Sequence, residues 1–229
     1  MSTTAPRSDL ITTYGDLSPF AEAYRSLKMS ILHGNGKAPW SIGLTGMNPE
    51  HGATTTAANL GLISAETENR VILVDGDLYK SSLHQRFGVS NERGLSTVLE
   101  GKDLLDNCLQ TVTDPPVLKL LAAGPKLRNP TARLRPNVIS DLLHELRSRC
   151  DMLIVDLPSV ASVAYTAFFA SFLDGLLLVV RAGTPRMDVE QTIKRRLQNA
   201  HVLGMVLNRV PVESGDVAGY RHYAKSTTT

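Results

Sequence analysis

The sequence is poor in cysteine and in long apolar runs. Its 229 residues include two cysteines, Cys108 and Cys150, too few and too isolated for a disulfide framework or a zinc site, so we expect two buried, reduced thiols. It has no run of about 20 apolar residues that would predict a membrane-spanning helix. The first residues also lack the charged and apolar regions of a signal peptide. These absences predict a soluble, cytoplasmic protein.

An excess of charge of either sign is also missing. The net charge is +2, and 20% of the residues are charged, so nothing indicates a nucleic acid partner. The sequence has no internal repeats. Hydrophobic residues make up 42% of the chain, which is enough for one compact domain with a sheet covered on both faces.

Changes of composition divide the chain into a polar N-terminal tail at residues 1–17, a domain at 18–211 and a polar C-terminal tail at 212–229. The domain is predicted to begin with a helix, because Ser18 is a typical N-cap and Pro19 suits the first turn. Its predicted apolar stripe consists of Phe20, Tyr24, Leu27 and Ile31.

The segment from Thr45 to Thr55, TGMNPEHGATT, lies between an apolar run and a helix-like run. A phosphate-binding loop has this position, and it needs backbone N–H groups at a helix N-terminus, a lysine for the outer phosphates and a hydroxyl for Mg²⁺. Gly52, Thr54 and Thr55 preserve the turn and the hydroxyls. Ala53 stands where the lysine belongs. Considered alone, the segment fits a plain strand-to-helix turn better than a phosphate-binding loop.

Glu50 adds a carboxylate to the same loop. A contact between unit charges at 4 Å is on the order of 4 kcal/mol at an effective dielectric near 20, before desolvation is counted. A bound triphosphate would lose one favourable contact and gain an unfavourable one. The sequence therefore predicts a loop that keeps its shape and is weakened in its function.

Two apolar runs end in carboxylates. Val71–Val74 leads into Asp75 and Asp77, and Met152–Val155 leads into Asp156. The carboxyl ends of buried parallel strands meet at one edge of a sheet, so these side chains are expected beside the loop, where they can hold Mg²⁺ or accept a proton from an attacking hydroxyl. The alternative is that they cap the turns that follow.

Further apolar runs alternate with helical segments along the chain. They occupy residues 117–121, 176–180 and 205–207, and a crossover helix is expected at residues 54–66. This alternation predicts an α/β fold with a doubly wound, mostly parallel sheet and helices on both faces.

A basic, proline-punctuated loop is predicted between Pro125 and Pro136. It holds Lys126, Arg128, Arg133 and Arg135. A solvated connection is the default interpretation. A surface for acidic or phosphorylated partners is the alternative.

The order of TGMNPEHGATT, then VILVDGDLYK at residues 71–80 and DMLIVDLP at 151–158 resembles the bacterial tyrosine kinases (BY-kinases) of capsule and exopolysaccharide systems. These belong to the deviant-Walker P-loop group, together with MinD and ParA. The resemblance covers roughly residues 18 to 211. It departs from the family at several polar positions of one site: Glu50, Ala53, Tyr79, Leu157 and the pair Tyr165-Thr166.

The resemblance implies ATP and Mg²⁺ as cofactors and assigns their ligands. Nucleotide-binding residues would be Gly52, Ala53, Thr54, Thr55 and Asn208, and metal-binding residues would be Thr54, Asp75 and Asp156. If catalysis survives, Asp77 and Asp75 would be the catalytic residues. Lys80 or Lys37 is a candidate to replace the missing lysine.

The resemblance also implies partners. Glu22, Arg25 and Lys28 correspond to a stretch that mediates ring-like self-association in the family, with Lys28 in place of its last arginine. Tyr220 and Tyr223 are what remains here of the family's phosphorylated tyrosine tail. A membrane adaptor of the polysaccharide chain-length-determinant type would recruit the protein to the inner face of the membrane.

The sequence therefore favours a cytoplasmic regulatory protein of exopolysaccharide or capsule synthesis with impaired catalysis, a pseudokinase. One alternative is an active tyrosine autokinase that phosphorylates Tyr220 or Tyr223. A second is a MinD-like ATPase, against which stands the absence of a second lysine near the start of the loop, where Met47 lies.

Overall fold

The structure is a computed structural model that describes residues 10–11, 18–33, 38–68, 70–114 and 116–211. Lys37, Tyr220 and Tyr223 lie outside this part, as do most of the N-terminal tail and the whole C-terminal tail at residues 212–229. Within the described residues, no helix is long and apolar enough to cross a membrane.

The domain alternates strands and helices along most of its length. The strands are β1 (Ser41–Gly46), β2 (Val71–Asp75), β3 (Leu109–Thr113), β4 (Leu118–Leu121), β5 (Met152–Leu157), β6 (Gly175–Arg181) and β7 (Val202–Asn208). The helices are α1 (Pro19–Leu32), α2 (Ala53–Ala65), α3 (Leu83–Phe87), α4 (Leu95–Leu99), α5 (Leu105–Cys108), α6 (Pro136–Arg147), α7 (Tyr165–Ala170) and α8 (Arg186–Arg196).

All seven strands form one sheet in the order β3-β4-β2-β5-β1-β6-β7. The pairs are parallel except that β3 runs antiparallel to β4. The predicted doubly wound, mostly parallel α/β fold is confirmed. Because β1 lies between β5 and β6, the loop after β1 emerges in the middle of the carboxyl edge, where such sheets bind ligands.

Apolar side chains cover both faces of the sheet. One core contains side chains of α1 and α2, with Leu60 and Ile63 fully buried against β1, β2 and β5. The other contains side chains of α6, α7 and α8, such as Ile139 and Phe169. Strands enclosed in this way can be apolar throughout, and β1, β2 and β5 are buried along their whole length.

Helix α1 begins where the sequence predicts. The Ser18 hydroxyl accepts a hydrogen bond from the N–H of Ala21 at 3.1 Å, with Pro19 in the first turn. The predicted apolar stripe is only partly right, because Phe20 is 53% exposed while Ile31 is buried. The helix is turned so that Ala21, Lys28 and Ile31 are buried while Phe20 faces solvent.

Candidate functional site

The loop between β1 and α2 keeps the backbone of a phosphate-binding loop. Gly52, the N-cap of α2, has a φ of 97°, and a Cβ at this position would collide with the Asn208 side chain. Glycine alone meets both conditions without strain. Glu50 also lies in the left-handed region, with a φ of 63°. A charged residue thus occupies a backbone conformation that favours glycine.

The first turn of α2 points toward the cleft. Its N-cap is a glycine, so no N-cap side chain satisfies the first-turn N–H groups, which is the usual basis of anion binding at a helix N-terminus. The Thr56 hydroxyl bonds back to the carbonyl of Gly52 at 2.9 Å and fixes the turn. Ala53 is the first residue of the helix. Its methyl group brings no charge to this position.

Two carboxylates lie side by side behind the loop. Asp75 and Asp156 are partners in the register of β2 and β5, and both are buried. Asp75 accepts backbone N–H groups from Asp77, Ser82 and Leu83 at 3.0 to 3.2 Å. Burial nevertheless raises the pKa of Asp75 to about 6. Asp75 therefore caps the following turn, as the alternative interpretation predicted. Burial nonetheless disfavours its ionised form.

Asp156 is the more exceptional of the pair. Its Oδ1 is buried without a hydrogen-bond partner. Burial first, and then the charge of Asp75, raise the pKa of Asp156 well above its ordinary value, while a hydrogen bond with the Thr54 side chain opposes the shift. An unpartnered buried carboxylate oxygen beside a threonine hydroxyl suits a cation.

The donor set fits magnesium better than a metal held only by protein. In the part of the chain that the structure describes, no group of three or more His, Cys, Asp or Glu side chains is placed to hold a metal ion. Mg²⁺ needs fewer protein ligands, because it binds one or two carboxylates and completes its shell with water and phosphate oxygens. Thr54, Asp75 and Asp156 supply that set.

Asp77 lies on the wall of the cleft. Its Oδ1 accepts the N–H groups of Tyr79 at 3.1 Å and Lys80 at 2.8 Å, so the carboxylate also shapes its own turn. The cleft has a volume of about 710 Å³, and Gly52, Ala53, Thr54 and Thr55 line it together with Asp77. The structure therefore brings the predicted loop residues and Asp77 together. Their roles stay predictions.

The lining of the same cleft includes cations that lie outside the loop. They are Lys80, Arg86 and Arg209. Lys80 was considered as a replacement for the missing lysine, and its place on the wall is compatible with that role. The sequence reasoning missed Arg86 and Arg209. Their only sequence signal is position, since Arg209 directly follows Asn208 at the end of β7.

Asn208 reaches the loop from β7. Its Nδ2 donates a hydrogen bond to the carbonyl of His51 at 2.9 Å, and it packs against Gly52. The ring of His51 accepts the N–H of Arg181 through Nδ1 at 3.2 Å. Burial lowers the pKa of His51. These contacts tie the loop to β6 and β7 by neutral hydrogen bonds.

The pair Tyr165-Thr166 fills the space beside Asp77 with neutral groups. The Tyr165 hydroxyl donates to the carbonyl of Gly76 at 2.9 Å and accepts the N–H of Leu78 at 3.1 Å. Burial raises its pKa. The Thr166 hydroxyl donates to the carbonyl of Pro158 at 3.1 Å. Both side chains thus hydrogen-bond to backbone groups of the loops that follow β2 and β5.

The triad on α1 makes contacts within the subunit. Arg25 pairs with Glu22 at 2.7 Å and with Glu66 at 3.1 Å. Lys28 is only 4% exposed, and its ammonium group lies 3.2 Å from Glu68 and bonds the Ser64 carbonyl and the Thr67 hydroxyl. These contacts join α1 to the end of α2. Self-association through the triad stays a prediction.

No protein-family model matches the chain, but individual relatives do. It is 29% identical over 203 residues to the tyrosine-protein kinase YwqD of Bacillus subtilis, with 87% of this chain and 85% of the relative covered. It is 34% identical over 194 residues to the putative tyrosine-protein kinase EpsB of Ralstonia solanacearum. That match covers 83% of this chain and 26% of the relative, so the chain spans about a quarter of EpsB.

Solved structures give the same result. The chimerical protein CapA2B2 superposes with a TM-score of 0.82 at 28% identity, covering 90% of this chain and 92% of that one. The kinase domain of the Escherichia coli tyrosine kinase ETK gives a TM-score of 0.81 at 26% identity, with 93% and 86% covered. A ParA family ATPase from Chlorobium tepidum, at a TM-score of 0.56 and 20% identity over 80% and 81% of the two chains, shares the fold.

Proposed function

This chain is related to the bacterial tyrosine kinases, and on that premise we propose that it is a regulatory protein with impaired phosphotransfer. The observation that carries the proposal is the methyl group of Ala53 in a loop whose backbone is otherwise intact. The left-handed Gly52, the helix N-terminus and the Thr54 hydroxyl are all kept. A triphosphate would find the loop backbone in place but would lack the lysine that contacts its outer phosphates.

The remaining residues define what a bound nucleotide would meet. The loop amides and the α2 N-terminus would hold the phosphates, and ATP with Mg²⁺ would supply a transferable phosphoryl group. Asp156 and Thr54 would hold the metal, and Asp77 would orient an acceptor hydroxyl on the cleft wall. The charge that develops in phosphoryl transfer lacks the loop ammonium, so transfer is slow or absent.

The biological setting follows from the resemblance. We assign the protein to the inner face of the membrane in capsule or exopolysaccharide synthesis, bound to an adaptor of the chain-length-determinant type. Surface contacts would then carry the function, including self-association through the Glu22, Arg25 and Lys28 face.

A phosphorylation assay tests the proposal. The purified full chain is incubated with Mg-ATP, and phosphate on Tyr220 and Tyr223 is measured by mass spectrometry. We expect none on the unaltered chain. Ala53→Lys restores the loop cation and is expected to raise Mg-ATP affinity at least about tenfold, equivalent to about 1.4 kcal/mol. Ala53→Met adds similar bulk without charge and serves as the matched control.

The competing functions predict different results. Phosphotyrosine on the unaltered chain that disappears in Asp77→Asn would establish the autokinase. Steady release of inorganic phosphate without phosphotyrosine would establish the MinD-like ATPase. Either result contradicts impaired phosphotransfer.

A further inference from the structure

A second groove lies at the carboxyl edge of the sheet, and none of its lining residues lines the phosphate-loop cleft. Strand β4 runs parallel to β2 and ends at Leu121, so the segment that follows it emerges at the same edge as Asp75. This segment and the end of α4 form a groove of about 520 Å³, here termed the arginine groove. Its lining residues are Glu100, Leu127, Arg128, Asn129, Ala132, Arg133 and Arg135.

The arginines of the groove stand on a rigid support. Pro130 and Leu134 are buried, and Leu127 packs against the core. Asn129 caps the short 3₁₀ helix at Pro130–Ala132 by accepting the N–H of Ala132 at 3.4 Å. The backbone is therefore fixed at several points, while Arg128, Arg133 and Arg135 are exposed. A preorganised support reduces the entropy lost when a ligand binds.

The charge balance of the groove is positive. Glu100 is the single acidic lining residue, and it is shared between Lys102 at 2.7 Å and Arg133 at 3.5 Å. The groove also borders the N-terminus of α6, where Arg135 is the N-cap and Pro136 the first residue, with no side-chain cap. The partial positive charge of that helix end adds to the field of the arginines.

The lining also has an apolar part. Leu127 and Ala132 lie between the arginines and offer a surface for a ring. Guanidinium groups bind phosphate through paired hydrogen bonds and stack on aromatic faces. A concave groove of this size can enclose a single side chain, whereas the flat surface of a bilayer does not fit into it.

From this combination we propose that the arginine groove binds an aryl phosphate carried on a peptide, namely a phosphotyrosine side chain. The phosphate pairs with Arg133 and Arg135, and the ring lies against Leu127 and Ala132. The site does not depend on nucleotide binding at the phosphate loop, so its test is independent of the proposed function.

Calorimetry with phenyl phosphate as the probe tests this proposal on the full chain at low ionic strength. We expect saturable binding that weakens with added salt. The double variant Arg133→Gln/Arg135→Gln is expected to weaken it at least about tenfold, since two charge-assisted contacts are lost. A control variant, Lys194→Gln/Arg195→Gln on α8, removes equal charge elsewhere and should leave the affinity unchanged.

Two further measurements show which site and which kind of phosphate account for the binding. Thr54→Val alters the phosphate loop and should leave phenyl phosphate binding intact; loss of binding would place the probe there and overturn the proposal. Inorganic phosphate should bind more weakly than phenyl phosphate because it lacks the ring. Equal affinity for the two anions, or arginine-dependent binding to phosphatidylserine vesicles without phenyl phosphate binding, would also overturn it. Thermal unfolding of both double variants checks that they are folded.

Discussion

The phosphate loop and the arginine groove lie on the same edge of one sheet and have opposite compositions. The loop has the backbone that an anion needs, with a left-handed Gly52 and a free-standing helix N-terminus, but it has a methyl group at Ala53 and a carboxylate at Glu50. The groove has no glycine turn, and arginines line it. The first site has the loop geometry without a cation in the loop itself, and the second has cations without that geometry.

The backbone conformation of the phosphate loop does not depend on a charged side chain in the loop. The loop conformation depends on the contacts of Gly52 with Asn208 and of His51 with β6, which remain when the lysine is replaced. Packing holds the frame, so the loss of one cation does not unfold it. The proposed loss of phosphotransfer is therefore compatible with an intact fold.

Gly52→Ala should break the frame and give the largest effect. The left-handed backbone and the collision with Asn208 together cost about 3 kcal/mol of unfolding free energy. Gly101→Ala is the matched control, because Gly101 also has a positive φ, of 69°, but its Cβ would meet nothing within 4 Å. Urea unfolding should show the larger loss for Gly52→Ala. Equal losses would mean that packing on Asn208 does not hold the loop.

Asp156→Asn should have the second-largest effect, because it removes a buried carboxyl group whose ionised form is disfavoured by burial and by Asp75. Burial raises the pKa of Asp75 to about 6 and also raises the pKa of Asp156. The folded state therefore keeps protons that the unfolded state releases near pH 4. Stability is therefore present below about pH 4 and is lost as pH rises through about 6.

We expect Asp156→Asn to stabilise the metal-free protein at pH 7 and not at pH 4, because only at the higher pH does the unfolded state release the proton that the folded state retains. Urea unfolding in EDTA at both pH values measures this. Asp141→Asn, an exposed carboxyl change on α6, is the control. Destabilisation at pH 7, or the same gain at both pH values, would show that the carboxylate pair carries no charge strain.

Glu50→Gly should have the smallest effect on stability. Glycine removes the steric cost of the left-handed backbone at residue 50, which stabilises the folded state. It also gives the unfolded chain more conformational entropy, which opposes folding, so we expect a net stabilisation of about 0.5 kcal/mol. Glu50→Gln removes the charge, keeps the strained backbone and should leave the melting temperature unchanged. If both variants stabilise alike, charge rather than backbone geometry is the cost at this position.

The fold was predictable where burial makes strands uniformly apolar. Val71–Asp75 and Met152–Leu157 are buried at every residue, and the sequence identifies both as strands. Strand β3 was missed because Leu109–Thr113 lies at the sheet edge, is at most half-buried and has no continuous apolar run. An edge strand pairs with a neighbour on one side only and is less enclosed, so it can form without a continuous apolar run.

The site was predictable to the level of its sequence segments. Spacing located the loop and the strand-end carboxylates, but the neighbouring positions of Asp75 and Asp156 depend on the register of β2 and β5, which a single sequence does not reveal. The burial of Lys28 was likewise missed. Its ammonium group reaches Glu68 only because α1 packs across the end of α2.

The central claim is that an intact phosphate-loop backbone without its lysine binds nucleotide poorly. Titration of the full, unaltered chain with Mg-ATP by calorimetry tests it most directly. We predict no saturable heat up to about millimolar ATP, where binding would be worth only about 4 kcal/mol. Saturable binding with a micromolar Kd would contradict the claim and show that cations outside the loop complete the site.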